Sequence, residues 1–169
     1  QNGHIEVADY RTSYILRKRT SAKYRDPNAW YHLYVAIDRS LATAGDRCKI
    51  YVNGEILSRS EAKISVFDSG YLVGDGVWEA VRLYKGSLIF IDDHLTRLWN
   101  AAKATGIQLP FTKNELIEII NSVLLENNMT DGVHVRIMVT RGIKKTPSQD
   151  PRLTISGPNL VIIPEFKLA

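Results

Sequence analysis

The sequence of 169 residues predicts an α+β fold, in which an antiparallel sheet packs against two helices and an incomplete all-β segment comes first. Short segments rich in β-branched and aromatic residues alternate with turn-forming residues over most of the chain. Two stretches between Asp92 and Asn128 instead carry apolar residues at helical spacing. A hydrophobic content of 44% and a charged content of 24% are typical of a globular protein.

The first 53 residues form the incomplete all-β segment. Strands are expected at residues 10–16, 31–37 and 49–52, which are too few for a sandwich. The third strand leads into Asn53-Gly54, a dipeptide that supplies the positive φ angles of a tight hairpin turn. The hairpin can therefore belong to the segment before it or to the segment after it.

Four further strands and a helix are expected after the hairpin turn. The strands are predicted at residues 55–57, 63–67, 77–84 and 87–91. The helix has Asp92 or Asp93 as its N-cap, and Gly106 lies just beyond its end. Its apolar stripe consists of Leu95, Leu98, Trp99 and Ala102.

A second helix begins with the capping box Thr112-x-x-Glu115 and ends at Asn127 and Asn128. Its apolar side carries Leu116, Ile117, Ile120, Val123 and Leu124. Strands are expected at residues 134–140 and 160–163. The loop between them is long for a compact domain, and loops of this length are usually functional or disordered.

The charge of the chain is uneven. Residues 1–53 hold nine Lys and Arg against five Asp and Glu, whereas the rest holds thirteen against thirteen. A nucleic-acid surface could be built from Arg17-Lys18-Arg19 with Tyr14 and Tyr24, because cations neutralise phosphates and aromatic rings stack on bases. So short a run favours a solvated strand or loop, and we predict no nucleic-acid partner.

The single cysteine, Cys48, excludes an internal disulfide and favours a reducing, cytoplasmic location. No apolar stretch approaches the roughly 20 residues of a membrane span, so no membrane partner is expected. The sequence starts with Gln1 rather than Met, from which we expect a piece of something longer. The four histidines do not lie at metal-ligand spacing, and no metal site is predicted.

The glycine-rich segment of residues 70–79 lacks the Gly-Lys-Ser/Thr ending of a phosphate loop, and we interpret it as a tight turn feeding a strand. Arg97 lies one position off the apolar stripe of its helix. By default it is a solvated arginine, although a fixed guanidinium could instead bind a phosphate. No serine elbow is present, and Cys48 has no evident base, so no nucleophile is predicted.

From about residue 50 to residue 169 the chain contains, in order, KIYVNGEI, FDSGYLVGDGVWEAVRLYKG, DDHLTRLWNAAKATGIQLP and VRIMVTRG. These segments closely resemble the N-terminal half of class IV (fold type IV) pyridoxal-phosphate aminotransferases. The family includes branched-chain and D-amino acid aminotransferases and aminodeoxychorismate lyase. The resemblance implies a small domain of helices on an antiparallel sheet, pyridoxal phosphate as cofactor, amino acid and 2-oxo acid substrates, and a homodimer.

The resemblance also assigns site residues. Arg97 stands where the family's His-x-x-Arg-Leu element grips the cofactor phosphate. Val73 and Trp78 occupy positions that shape the substrate pocket, and Arg141 begins a loop that reaches the substrate carboxylate in relatives.

D-amino acid enzymes carry an Arg and a His as a carboxylate trap where this chain has Thr146 and Ser148. The difference argues against D-amino acid specificity. A branched-chain or an amine-type substrate stays open, as does a lyase activity.

In the family, the lysine that forms a Schiff base with the cofactor lies beyond the point where this sequence stops. No catalytic residue is therefore predicted, and we expect the fragment not to transaminate. Lys144 and Lys145 are interpreted as solvated loop residues, and Lys167 precedes the missing domain. Apolar surface that the second domain would cover should cause self-association or poor solubility.

The run KYRDPNAWYHLYVAIDRSLATAGDRCKIYVNGE resembles concanavalin-like, laminin-G-type lectin modules of phage structural proteins. Because KIYVNGE fits both resemblances, we infer a fusion at this hairpin, either natural or an artefact. The expected division is a partial lectin-like segment at residues 1–53 and an aminotransferase small domain at residues 50–169. A carbohydrate-binding or viral structural function is the alternative.

Overall fold

The computed structural model describes the backbone of strands β1 (Glu6–Asp9) and β2 (Leu16–Arg19) and all of residues 48–167. β1 and β2 pair antiparallel, which agrees with an all-β segment. The strands predicted at residues 10–16 and 31–37 lie outside the described residues, apart from Leu16. Most of the lectin-like segment lies outside them as well, so that interpretation stays a prediction.

The chain divides into two compact units, Gln1–Asp38 and Arg39–Ala169. In the described part of the second unit the strands are β3 (Lys49–Val52), β4 (Glu55–Ser58), β5 (Gly76–Tyr84), β6 (Ser87–Leu88), β7 (Val133–Thr140) and β8 (Asn159–Phe166). The helices are α1 (Ser69–Val73), α2 (Ile91–Thr105) and α3 (Lys113–Glu126).

The six strands β3–β8 form one antiparallel sheet in the order β4-β3-β8-β7-β5-β6. Its centre is the long pairing of β5 with β7, from Gly76 opposite Thr140 to Leu83 opposite Val133. Alternate residues of both strands are buried under α2 and α3, because successive side chains of a strand point to opposite faces. The α+β fold is confirmed. The face turned away from α2 and α3 is called the open face.

Most of the predicted helix and turn signals are confirmed. Asn53 and Gly54 have φ angles of 48° and 107° and join β3 to β4. Gly106 ends α2 in the left-handed conformation. Thr112 and Glu115 form the capping box of α3, whose C-cap is Asn127.

Two predicted boundaries are wrong. Residues 63–67 form no strand, because the segment pairs only at the isolated bridge of Asp68 with Ile143. The strand predicted at residues 87–91 ends at Leu88, since Phe90 takes a left-handed conformation and Ile91 already begins α2. Asp92 and Asp93 therefore lie in the first turn, where a carboxylate favours the positive end of the helix.

β8 extends beyond the predicted residue 163 and includes Pro164. The N–H and C=O of Leu160 both face the β3 side, through Asn53, so by alternation the position of Pro164 faces that side too. Pairing with β3 ends at Ile162. The donor that proline lacks is thus not needed there, and the strand continues.

No helix within the described residues has the length and apolar character needed to cross a membrane. In the same part of the chain, no three His, Cys, Asp or Glu side chains are placed to hold a metal ion.

Candidate functional site

Glu79 lies on the core-facing side of β5, and only 10% of its side chain is exposed. Arg97 on α2 donates from Nε to Oε1 at 2.7 Å and from Nη2 to Oε2 at 2.8 Å. His94, one helical turn earlier, places Nδ1 2.9 Å from Oε2. Strand and helix together therefore fix one edge of the guanidinium.

The hydrogen bond from Arg97 lowers the pKa of Glu79 to about 2, with a smaller contribution from His94, while burial acts in the opposite direction. The same pairing raises the pKa of Arg97. Within the described residues no acceptor contacts Nη1 of Arg97, and 67% of the side chain is exposed. A guanidinium that is oriented on one edge and open on the other can bind an anion.

Arg141 has a different environment. It donates from Nε and Nη2 to Asp75 at 2.6 and 3.0 Å. Its remaining donors reach the carbonyl oxygens of Thr105 at 2.7 Å and Gly106 at 3.1 Å. Only 17% of the side chain is exposed. Arg141 thus ties the end of β7 to the last carbonyls of α2, and a substrate carboxylate would have to displace these bonds.

The glycine-rich segment folds as α1 followed by β5. Asp68 caps α1 by accepting a hydrogen bond from Gly70 N at 2.8 Å, and Gly74 ends the helix at a φ of 71°. Val73, the last residue of α1, is 38% exposed. A Cβ added to Gly70 would lie 2.6 Å from Cγ2 of Thr140, so this position needs glycine for close packing.

Asp68 is fully buried and has no cationic partner among the described residues. Its Oδ2 accepts from Thr140 Oγ1 at 2.7 Å and from Asn159 Nδ2 at 2.5 Å. Asn159 Oδ1 in turn accepts from Asn53 Nδ2, and Asn53 Oδ1 accepts from Leu160 N. The direction of every bond in this series is fixed by the backbone N–H at one end and the carboxylate at the other.

Trp78 lies on the open face and is 59% exposed. The Arg136 guanidinium stacks over its ring at 4.5 Å from the centroid. Trp78 and Glu79 are neighbours in β5, so they point to opposite faces of the sheet. The structure therefore does not bring Trp78 and Arg97 together, and the roles assigned to Arg97, Val73, Trp78 and Arg141 stay predictions.

Lys144 does not have the solvated environment that we expected. Its side chain is buried, with 1% exposure, and Nζ donates to the carbonyl oxygen of Asp150 at 2.9 Å. Lys145 is exposed, as expected. The burial arises because Lys144 pairs with Thr154 and Phe67 in short extended segments.

Comparison with known proteins identifies the family. A family model described as amino-transferase class IV matches residues 76–162, about half of the chain. The chain belongs to this family. The matched range starts at β5, which bears Glu79, and ends within β8.

Two curated relatives illustrate the breadth of the class IV family. A Methanocaldococcus jannaschii protein, provisionally named a branched-chain-amino-acid aminotransferase, is 43% identical over 95 residues, which cover 56% of this chain and 33% of the relative. A D-alanine aminotransferase of Staphylococcus epidermidis is 39% identical over 94 residues, with coverages of 56% and 33%. The chain thus spans about a third of the length of these relatives.

Solved structures of branched-chain aminotransferases have the same fold. The enzyme of Thermoproteus uzoniensis with norvaline matches with a TM-score of 0.59 and 22% identity, over 69% of this chain and 40% of that one. A second enzyme of this name, solved with pyridoxamine 5'-phosphate, matches with a TM-score of 0.62 and 25% identity, over 69% of this chain and 39% of that one. Both agree with the predicted helices on an antiparallel sheet.

Three contributors to this class IV aminotransferase site were missed in the sequence. Glu79 could have been found, because it is a carboxylate on the apolar phase of a strand, and such a residue needs a buried partner. Arg136 lies on the polar phase and resembles any solvated arginine. Asp75 is 66 positions from Arg141, and no local pattern links them.

Proposed function

We propose that this chain carries the phosphate-binding arginine of a pyridoxal-phosphate-dependent aminotransferase, which moves an amino group from an amino acid to a 2-oxo acid. Membership of the class IV family supports the reaction class. The observation that carries the proposal is the Arg97 guanidinium, held by Glu79 on one edge and open on the other. The activity of the whole protein is part of this proposal.

The geometry of Arg97 fits a phosphate. A phosphate oxygen binds best to guanidinium donors that are already oriented, because less side-chain entropy is then lost. Glu79 and His94 supply that orientation from β5 and α2. Pyridoxal phosphate, when bound, supplies the carbonyl group that takes up the amino group. Arg97 would hold its phosphate, and Glu79 would keep the guanidinium in place.

On the open face, Trp78 and Arg136 support a substrate surface. An aromatic ring and a guanidinium without an ion-pair partner among the described residues suit the apolar side chain and the carboxylate of an amino acid. Burial, and then the charges of Lys167 and Arg136, lower the pKa of His134 on the same face, so the positive charge comes from the arginines. Val73 is proposed to line the pocket, and Arg141 to shape it through Asp75.

The choice of substrate is part of the proposal. The relatives include enzymes named for branched-chain amino acids and for D-alanine. Thr146 and Ser148 stand in place of the carboxylate trap of the D-amino acid enzymes, which favours a branched-chain or amine-type substrate over a D-amino acid. Ser148 Oγ accepts a hydrogen bond from Asp150 N instead.

Titration of the 15N-labelled chain with pyridoxamine 5'-phosphate tests the role of Arg97. Pyridoxamine without phosphate serves as the reference ligand. We expect the phosphate ester to bind at least about tenfold more tightly and to shift the Arg97 Nε–H resonance, because charge-assisted hydrogen bonds to phosphate are strong.

Arg97→Gln should abolish this preference for the phosphate ester. The matched control is Arg152→Gln, since Arg152 is also exposed and is also held by a carboxylate, that of Asp150. It should keep the preference. An Arg97→Gln variant that still prefers the phosphate ester would refute the assignment.

We also propose a homodimer in a cytoplasmic setting. Large apolar side chains are exposed in the described part of the chain, among them Val66, Phe67, Tyr71, Phe90 and Leu125. Light scattering tests association, and a clean monomer would contradict it. For residues 1–53, the lectin-like and fusion hypotheses stay predictions; retention on polysaccharide resins and single-molecule sequencing across the codons for residues 30–60 test them.

A further inference from the structure

Residues 143–155 form an ordered excursion between β7 and β8, here named the flap. Lys144 and Thr154 make an antiparallel bridge, and main-chain hydrogen bonds of 2.9 and 2.8 Å close the two arms on either side of it. The tip contains a short 3-10 turn, Pro151–Leu153. The long loop is therefore folded into a hairpin-like unit rather than left without structure.

The base of the flap is attached to the segment before α1. Lys144 N donates to the carbonyl oxygen of Phe67, and Ser69 N donates to that of Gly142, both at 2.9 Å. Gly142 has a φ of 114°, and a Cβ there would lie 2.2 Å from the carbonyl oxygen of Gly157. Two backbones meet at this point, which is called the neck.

Lys144 is among the largest fully buried side chains of the described part. Lysine is rarely buried unless its charge is paired, because desolvation of an ammonium group is costly. Within residues 48–167 no carboxylate lies at ion-pair distance from Nζ, and the hydrogen bond found there goes to the carbonyl oxygen of Asp150. The burial needs a structural or functional reason.

That hydrogen bond joins the neck to the tip. Asp150 is the N-cap of the 3-10 turn, and its carboxylate accepts from Arg152 N at 2.9 Å and from the Arg152 guanidinium. Thr154, on the opposite arm, does not share this function. Its Oγ1 is buried without a hydrogen-bond partner among the described residues.

We propose that Lys144 is a positioning residue, whose ammonium group crosses the flap and holds the tip in one conformation through the Asp150 carbonyl. The consequence for a bound substrate rests on the proposed function, since the flap begins at the end of the sheet where Trp78 lies. The anchoring itself does not depend on a cofactor. A tip held in this way meets a ligand without first having to be ordered.

Amide hydrogen exchange on the folded chain tests this role. Lys144→Met keeps the length of the side chain and removes the donor, and it should speed exchange of the Leu153 and Thr154 amides at least about tenfold. Amides at the centre of β5 and β7 should keep their rates. The matched control is Thr154→Val, which removes a buried hydroxyl from the same bridge and should leave the tip unchanged.

A charge-restoring variant separates anchoring from mere packing. In a Cys48→Ser background, Lys144→Cys alkylated with 2-bromoethylamine regains an ammonium group at the same reach, and slow exchange at the tip should return. The inference fails if Lys144→Met exchanges within twofold of the parent, if Thr154→Val loosens the tip equally, or if alkylation restores nothing. Binding of pyridoxamine 5'-phosphate should be the same in Lys144→Met, so failure of the Arg97 assignment is detected separately.

Discussion

The Glu79–Arg97 and Asp75–Arg141 pairs have nearly the same internal geometry and different surroundings. In both, the guanidinium donates from Nε and Nη2 to the two oxygens of one carboxylate, at 2.6–3.0 Å. Arg141 uses its other donors on the last carbonyls of α2. Arg97 turns its other edge to the solvent. The pair itself therefore does not determine the role, and the remaining donors do.

The largest expected effect comes from removing the enclosed pair. Arg141→Gln leaves the Asp75 carboxylate, which is about one-fifth exposed, without its cation and frees two carbonyls at the end of α2. We expect the free energy of unfolding to fall by about 3 kcal/mol. Urea denaturation measures it. A loss no larger than that of the exposed Arg152→Gln variant would remove the distinction between the two pairs.

Asp68 sharpens the comparison, because it is a buried carboxylate satisfied by neutral donors. Asp68→Asn turns an N–H₂ group toward a donor, and neither Asn159 nor Asn53 can flip without losing its own bonds. The expected loss is about 2 kcal/mol in the free energy of unfolding, again from urea curves. Asp92→Asn, at an exposed position, is the control. Equal stabilities of the two variants would contradict the fixed direction of the series.

Glu79 links its pair to pH. Its pKa is about 2 in the folded protein and 4.5 in the reference state, so the folded form binds fewer protons between these values. Its contribution to stability is complete above pH 4.5 and is lost as the pH falls through about 2. The free energy of unfolding should therefore decline more steeply with acidification in the parent than in Glu79→Gln. Parallel pH profiles would rule out the depressed pKa.

The smallest effect on stability is expected for Arg97→Gln. The guanidinium is mostly exposed, and exposed ion pairs contribute little because water competes for both groups. The urea midpoint should shift far less than in Arg141→Gln, even though phosphate binding is lost. A loss of stability as large as that of Arg141→Gln would show that Arg97 is a structural residue.

Local signals in the sequence predicted most elements of the second unit. Asn53-Gly54, the Thr112 capping box and Gly106 each act through their own backbone or a neighbour within a few residues, so position in the chain is sufficient. Phe90 defied this logic. It starts α2 without a side-chain cap, in a conformation that a phenylalanine seldom adopts.

The site was less accessible, because its contacts join distant parts of the chain. Arg97 was assigned by its motif, but the Glu79 that orients it lies 18 positions away on another element. The burial of Lys144 depends on three extended segments meeting at the neck, which no periodicity indicates. Family resemblance identified the positions that matter, whereas tertiary contacts distinguish an open guanidinium from an enclosed one.

The contact between Gly142 and Gly157 makes the flap an exchangeable cassette. Because two backbones touch at the neck, the ends of the loop stay at one spacing whatever lies between them. Lengthening such a loop costs little, since closure entropy grows only with the logarithm of length. Insertions between residues 146 and 149 should leave the sheet intact. Grafting of foreign tips onto this neck is a practical route to altered specificity in an otherwise unchanged scaffold.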